Sequence, residues 1–421
     1  MSNGHGEDTV GAALAAQVRE LAGSQAEIVA WPIVGLGAAY SAADIAVVGP
    51  RRELPSGGLG YLNPTLILHD VVVGGLGLVL RQFAFAWHNK ETFDGVVGVG
   101  DRVTLLVNHY ILKRPMVWVA IADSVRYLPA GREVGNPRMW RAMRSPTCRA
   151  VFARDPETRD SLKRLGIGAE YVGNPMMDLV GPEGSRSARG ASCLSDLLRS
   201  AGVPDEGPFV VLLPGSRDDA YLNLADQLEA FRSLVQLTGG KVRAAVAWAP
   251  GLQIGKLAGP LAEAGWRFET IAHRPRAWVG SARWEGNGAT AASPHPVPLL
   301  VGLFGDLVRK ADVVIGQAGT AVEQAAGLGK PVITFPGRGS QVPLRFLRGQ
   351  QQMLGEAIMI VERHPDRVAE AVLKVLTDRN LKERMAAAGR QRMGPPGALR
   401  IIAHRIVEEL IAWPVKTERV M

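Results

Sequence analysis

The sequence is short of cysteine, of long apolar runs and of paired metal-holding carboxylates, and each shortage removes a class of protein. Two cysteines in 421 residues, Cys148 and Cys193, give neither a disulfide framework nor the thiol spacing of a metal site. A reducing cytoplasm is therefore the expected compartment. No apolar run is long enough to span a bilayer, and Met1-Ser2-Asn3-Gly4 does not open a signal peptide. No Asp-x-Asp triplet occurs, so metal-free chemistry with no cofactor is expected. Repeats and basic helices interleaved with aromatics are also missing, which argues against nucleic acid as a partner.

What is present describes a globular α/β chain. Hydrophobic residues make up 47% and charged residues 21%, ordinary for a protein with sizeable cores, and the length suits roughly two to three domains. The 49 glycines and 27 prolines supply the many turns that alternating strands and helices need. A net charge of +8 favours an anionic partner.

The most informative stretch is Ala311 to Pro336, ADVVIGQAGTAVEQAAGLGKPVITFP. It reads as strand, Gly-containing turn, Ala-rich helix and second strand, a βαβ unit. The turn leaves Gly319, Thr320 and Ala321 at the helix start, where backbone N–H groups lack helical partners and the dipole favours a phosphate. An ordinary strand-to-helix turn is the competing explanation.

Taken in order, the chain opens with a Gly-rich turn into an amphipathic helix from about Asp8 to Leu21, with Asp8 or Thr9 as N-cap. Such a turn normally follows a strand, and no strand is evident before it. Further strands are expected at 27–30, 44–48, 95–99, 116–121, 149–153 and 169–172, with helices at 102–112 and 156–165. Their Val, Ile and Ala content without polar alternation implies a parallel sheet covered on both faces. The apolar segment 62–87 reads as a core helix, or else as an interfacial segment flanked by Arg81, His88 and Lys90. A Gly, Pro and Ser-rich linker follows at 181–206. A second α/β series begins with a strand at 208–213, Pro214-Gly215-Ser216-Arg217 and a helix at 219–237. Strands at 242–248 and 267–271, a loop at 273–298 and a helix at 299–310 lead into the βαβ unit, and helices at 365–376, 380–392 and 398–413 close the chain. The boundaries are an N-terminal Rossmann-like domain over 1–180, a C-terminal one over 207–395, and a last helix over 396–421 packing back toward the first.

Three blocks carry a family resemblance: VGNPMMD (172–178), LLPGSR (212–217) and GTAVEQAAGLGKP (319–331). In order and separation they resemble lipid-A-disaccharide synthase and its related branch. GEDTVGAAL (6–14) looks like that family's acidic first turn, and GVGD (98–101) like its strand-end Asp. Sugar-nucleotide 2-epimerases, and the peptidoglycan glycosyltransferase that adds N-acetylglucosamine, share parts of the pattern. The resemblance implies a GT-B fold, two doubly wound Rossmann-like domains facing a cleft. It implies inverting, metal-independent transfer of an N-acetylglucosamine-type or acylated glucosamine from a UDP-sugar to a lipid or lipid-linked acceptor. Peripheral contact with the cytoplasmic face of the inner membrane goes with that activity. The alternatives are a UDP-sugar 2-epimerase or hydrolase, and a non-catalytic nucleotide-sugar-binding protein.

Residue roles follow from both sources. Diphosphate stabilisation falls to the N–H groups of Gly319, Thr320 and Ala321, the Thr320 hydroxyl, and Gly215, Ser216 and Arg217. Where the family carries a ribose-binding Glu this sequence has Gln324, with Glu323 one position earlier. Gln317 and Gln341 would read uracil or sugar, or are merely polar loop residues. Asp101 is the first candidate for the catalytic base, ahead of His5 and Asp8; for Asp101 and Asp8 a helix cap is the competing role.

Overall fold

The computed structural model describes residues 1–52, 75–129, 131–180, 189–270, 277–285, 295–339 and 342–411. Two compact units emerge, Met1–Leu179 with Pro395–Met421, and Val180–Gly394.

In the N-terminal unit, helix α1 (His5–Ala22) is followed by strands β1 (Val29–Ala30) and β2 (Ala46–Val47), then helix α2 (Gly75–His88). Strand β3 (Val96–Val99), helix α3 (Arg102–Val107), strands β4 (Met116–Ala120) and β5 (Cys148–Ala153), and helix α4 (Pro156–Arg164) complete the alternation. β1 pairs with β2, and β4 lies between β3 and β5, all parallel. β4, Met-Val-Trp-Val-Ala, is buried along its whole length, which is why it carries no polar alternation.

Met1–Asn3 joins the two sets of strands. The Met1 nitrogen donates to Val97 O at 2.7 Å and Val99 N donates to Met1 O at 2.9 Å. On the other flank Ile33 N donates to Ser2 O at 2.8 Å, and Ser2 bridges Pro32 in parallel. The strand that the sequence reading finds missing before α1 is therefore represented by this short extended segment. With it the order is β2, β1, Met1–Asn3, β3, β4, β5, the 3-2-1-4-5-6 order of a doubly wound sheet.

Local departures have simple causes. α1 starts at His5, with Gly4 as N-cap, so neither Asp8 nor Thr9 caps it. The helix expected over 102–112 is α3 followed by a wider π-helical turn at Asn108–Leu112. Residues 169–172 make a single bridge, Phe152 to Glu170, rather than a strand. Of the apolar segment 62–87, residues before 75 lie outside the described part. α2 buries Leu78 and Ala86 but exposes Val79, Leu80, Phe83 and Trp87, so the core-helix expectation holds for one face.

The C-terminal unit begins with α5 (Arg189–Ser200), inside the stretch expected to be a linker; Leu194, Leu197 and Leu198 bury one side of it. Then come β6 (Phe209–Leu213), α6 (Ala220–Leu237), β7 (Arg243–Trp248), β8 (Trp266–Thr270), β9 (Trp278–Trp284) and β10 (Val297–Val301). They are followed by α7 (Phe304–Lys310), β11 (Val313–Gly316), α8 (Thr320–Gly327), β12 (Val332–Thr334), α9 (Leu344–Leu354), β13 (Ile358–Ile360), α10 (Pro365–Thr377) and α11 (Arg379–Met393).

Among the described residues these strands form one eight-stranded sheet in the order β13-β12-β11-β6-β7-β10-β9-β8. β8 and β9 are antiparallel additions at one edge. The parallel strands repeat the 3-2-1-4-5-6 order, with β6 first and β11 fourth. β9 and β10 overturn the loop expected at 273–298, and α7 starts at Phe304 rather than at Leu299. Val-Pro-Leu-Leu-Val is a short apolar run compatible with either structure, and burial against β7 makes it a strand.

The chain returns to the N-terminal unit as α12 (Ala398–Ile406), which packs on α1. The GNPMMD block anchors this return. Asn174 N donates to Pro395 O at 3.1 Å, and Asp178 accepts from Gly397 N and, at 2.8 Å, from Leu399 N. Gly173, at φ 105°, sits where a Cβ would lie 2.8 Å from Pro395 O. No described helix is long and apolar enough to cross a membrane.

α8 and α11 meet through Gly389, where a Cβ would lie 2.0 Å from the Ala326 carbonyl oxygen. Gly389→Ala is expected to destabilise the protein by about 1–3 kcal/mol, seen as a lower midpoint in urea unfolding. Gly251→Ala, with nothing within 4 Å of the added methyl, is expected to leave the midpoint in place.

Candidate active site

In a doubly wound sheet, ligands bind beyond the carboxyl ends of the first and fourth strands, where the chain reverses direction across the sheet. Each unit places sequence-predicted residues at that point, Gly215–Arg217 and Gly319–Ala321 in one and Asp101 in the other.

In the C-terminal unit the loops after β6 and β11 are neighbours, because Leu213 pairs with Gly316 and Gln317 N donates to Leu213 O at 2.8 Å. Gly215 turns at φ 113°, and a Cβ there would stand 3.2 Å from Gln317 O. Gly is thus favoured by both conformation and space. Ser216 is exposed and Arg217 part-buried; burial lowers the Arg217 pKa from its ordinary value, with Asp219 opposing. Gly319 is the N-cap of α8 and no side chain caps that end. Thr320 and Ala321 N–H groups have no acceptor within the helix by their position, so the end suits an anion.

Beneath these loops lies a layer of buried amides. Gln227 Nε2 donates to Gln317 Oε1 at 3.1 Å and to Leu213 O at 3.2 Å. Gln317 Nε2 donates to Phe335 O at 3.2 Å, Asn223 Nδ2 to Pro214 O at 3.0 Å, and Gln350 Nε2 to Ala318 O at 2.9 Å. Gln317 is 1% exposed with both ends of its amide engaged. It is a strut between loops rather than a reader of uracil or sugar, and this corrects the sequence-based role. Glu323 and Gln324 are also buried, on the first two turns of α8. Gln341 lies outside the described residues.

In the N-terminal unit, Met1–Asn3 and β3 end side by side. Asp101 is the N-cap of α3, accepting from Val103 N at 2.9 Å, while its other oxygen accepts from Asn3 Nδ2 at 2.8 Å. The capping role is thus real, and the residue is 8% exposed. Asp8, buried, accepts from the Ser2 hydroxyl at 2.6 Å, which in turn accepts from Tyr40 OH at 2.8 Å. His5 is the first residue of α1, and its side chain is not among the described atoms.

The sequence reading missed Glu7 and Asn3. Glu7 Oε2 accepts from Asn3 N at 2.7 Å, and the carboxyl also accepts from the Asp101 N–H. Gly100, at φ 114°, is the space this carboxyl needs: a Cβ there would lie 2.1 Å from Glu7 Cδ. Burial, then the charge of Asp101, raises the Glu7 pKa well above the usual carboxylate range. Burial also raises Asp101, opposed by the Asn3 and Val103 hydrogen bonds. Only the acidic first turn hinted at this; the pairing spans a long sequence separation. Among the described residues no group of three or more His, Cys, Asp or Glu is placed to hold a metal ion.

Replacing Gln317 by Leu leaves Gln227 Nε2 with Leu213 O alone and takes the side-chain donor from the Phe335 carbonyl. The expected cost is about 1–3 kcal/mol, measured as a lower urea midpoint. An unchanged midpoint would return Gln317 to a role at the surface.

No protein-family model matches the chain, and no curated protein matches it by sequence. Solved structures do resemble it. The UDP complex of S. aureus MnaA aligns over 98% of this chain and 96% of its own at TM-score 0.54 and 13% identity. A provisional UDP-N-acetylglucosamine 2-epimerase from Listeria monocytogenes aligns over 98% and 97% at TM-score 0.58 and 14% identity. The calicheamicin glycosyltransferase CalG4 aligns more loosely, over 97% of each chain at TM-score 0.48 and 13% identity. Together with the two parallel sheets, the likeness establishes the architecture: the chain has the GT-B fold, built from two Rossmann-like units.

Proposed function

We propose that this protein is an enzyme acting on a UDP-sugar, and that it turns the sugar nucleotide over without a lipid acceptor, as a 2-epimerase or hydrolase. The observation that carries this reading is the pairing of two chemistries on matching sheets. An uncapped helix end lies at the switch point of one unit, and a buried carboxyl cluster at that of the other. The UDP named for S. aureus MnaA and the UDP-N-acetylglucosamine named for the Listeria monocytogenes protein support the substrate class.

The first event is cleavage of the bond between the anomeric carbon and the diphosphate oxygen, with the electron pair leaving on the phosphate. The N–H groups of Gly319, Thr320 and Ala321, the Thr320 hydroxyl, and Ser216 and Arg217 beside Gly215 stabilise that growing charge. Glu323 and Gln324 are the candidates for the ribose in this reading. Epimerisation then needs a base to remove the proton at carbon 2, leaving a double bond between carbons 1 and 2, an acid to return a proton to the other face, and return of the diphosphate oxygen to the anomeric carbon; hydrolysis needs a base for the water that takes the place of UDP. Asp101 takes the base role in this reading, with His5 and Asp8 as the alternatives. Neither course calls for an organic cofactor.

A second reading, transfer to a lipid acceptor in the manner of lipid-A-disaccharide synthase, is favoured by α2. That helix exposes Leu80 and Trp87 at 63% and 62%, with the Lys90 ammonium 5.0 Å over the Trp87 ring. Such a face suits peripheral contact with an acidic membrane surface.

UDP-N-acetylglucosamine incubated with the protein alone is expected to release UDP or yield its 2-epimer. A strict requirement for added lipid extract would replace the first reading with the second, and Trp87→Asp would then abolish vesicle binding. Asp101→Asn is expected to lower turnover by about 10²–10⁴-fold with UDP affinity retained. Arg217→Ala is expected to weaken UDP binding by about 10–100-fold, the worth of a charged hydrogen bond, measured by calorimetry.

A further inference from the structure

We propose that Glu7 and Asp101 work as one proton-holding pair at the amino-terminal switch point, Glu7 keeping the proton so that Asp101 is left ionised to act as base. Glu7 is then a positioning residue. The inference rests on the functional reading above only for what Asp101 does to substrate; the pairing itself stands on geometry.

One residue bridges the two carboxyls. Asn3 gives its backbone N–H to Glu7 at 2.7 Å and its side-chain amide to Asp101 at 2.8 Å. The Asp101 N–H also points at Glu7, and the missing Cβ of Gly100 leaves the gap in which the Glu7 carboxyl sits. Two carboxyls held this close in a buried site cannot both ionise cheaply, and their protons belong to the pair rather than to either one.

The surroundings decide which partner ionises first. Asp101 has the Val103 and Asn3 donors and the positive Arg102, itself paired with Asp123 at 2.5 Å. Glu7 accepts from the backbone N–H groups of Asn3 and Asp101 and has two carboxyls, Asp101 and Asp8, acting on it. Tyr40 approaches from its own helix through Ser2, and the Met1 nitrogen is committed to Val97. The His5 side chain, on the same first turn, is outside the described atoms. Among the described groups, the balance leaves the proton on Glu7.

The test uses the full chain, UDP-N-acetylglucosamine as probe, and turnover measured across pH. Wild type should give a bell whose acid limb reports Asp101 and whose alkaline limb reports Glu7. Glu7→Gln cannot ionise, so its alkaline limb should vanish while the acid limb stays. Glu7→Asp, which keeps an ionisable group, should retain an alkaline limb. A merely structural role would instead lower the rate by one factor at every pH.

Stability gives a second readout that needs no turnover. The folded-state pKa of Glu7 lies above its unfolded value of 4.5, so above that pH the folded chain holds a proton the unfolded chain has lost. Stability contributed by Glu7 therefore falls as pH rises until the folded carboxyl ionises. The urea midpoint of wild type relative to Glu7→Gln should fall as pH rises above about 5. An unmoved alkaline limb in Glu7→Gln, or a midpoint difference constant with pH, overturns the pairing. Failure of the functional reading shows separately, as Asp101→Asn protein with wild-type turnover.

Discussion

A few backbone hydrogen bonds made by Met1–Asn3 hold the amino-terminal unit in its arrangement. They join β1 and β2 to β3, β4 and β5, and without them the unit is two small sheets with unpaired edges. Because α1 starts straight after Gly4, the same residues fix where its first turn lies. That turn carries Glu7 and Asp8 to the end of β3, and the Asn3 side chain reaches Asp101. Backbone pairing, helix start and acid cluster are thus consequences of one alignment. Buried backbone polar groups must be paired somewhere, and here the pairing also sets the chemistry.

The carboxyl-terminal unit reaches a comparable end by other means. Its sheet is wide, and its strands β6, β7 and β11 are wholly or largely buried. The precision lies in the amide layer under the loops. Asn223, Gln227, Gln317 and Gln350 draw the carbonyls of Leu213, Pro214, Ala318 and Phe335 inward. The amide nitrogens tie down the backbone above them, the start of α8 included, while the Asn223, Gln227 and Gln350 amide oxygens are buried without a hydrogen-bond partner. Side chains that never touch a ligand thereby set the geometry of those that would.

Much of this was legible in the sequence, and the limits have physical causes. The strand–turn–helix–strand unit at 311–336 was plain, because short β-branched runs flank an Ala-rich segment and Gly-Lys-Pro ends it. Asp101 at a strand end was also legible. The order of strands was not, since apolar runs carry no record of their neighbours. Val297–Val301 was divided between a loop ending at 298 and a helix starting at 299, because period alone cannot separate a buried strand from a buried helix turn. Gln317 looked like a loop residue and proved to be a strut, since its partners Gln227 and Phe335 are distant in sequence. Glu7 went unnoticed for the same reason: its meaning depends on Gly100.

The connectivity at Asn174–Asp178 and Pro395–Leu399 bears on how the molecule is made. The second unit is one uninterrupted piece of chain, whereas the first is split and needs α12 against α1 to be whole. Domains form as units when their chain is available. On a ribosome, residues 180–394 can finish first, while the earlier-made half waits for its last helix. The part synthesised first is therefore the last to be completed, and the bonds from Asp178 to the residues opening α12 are the latch that closes it.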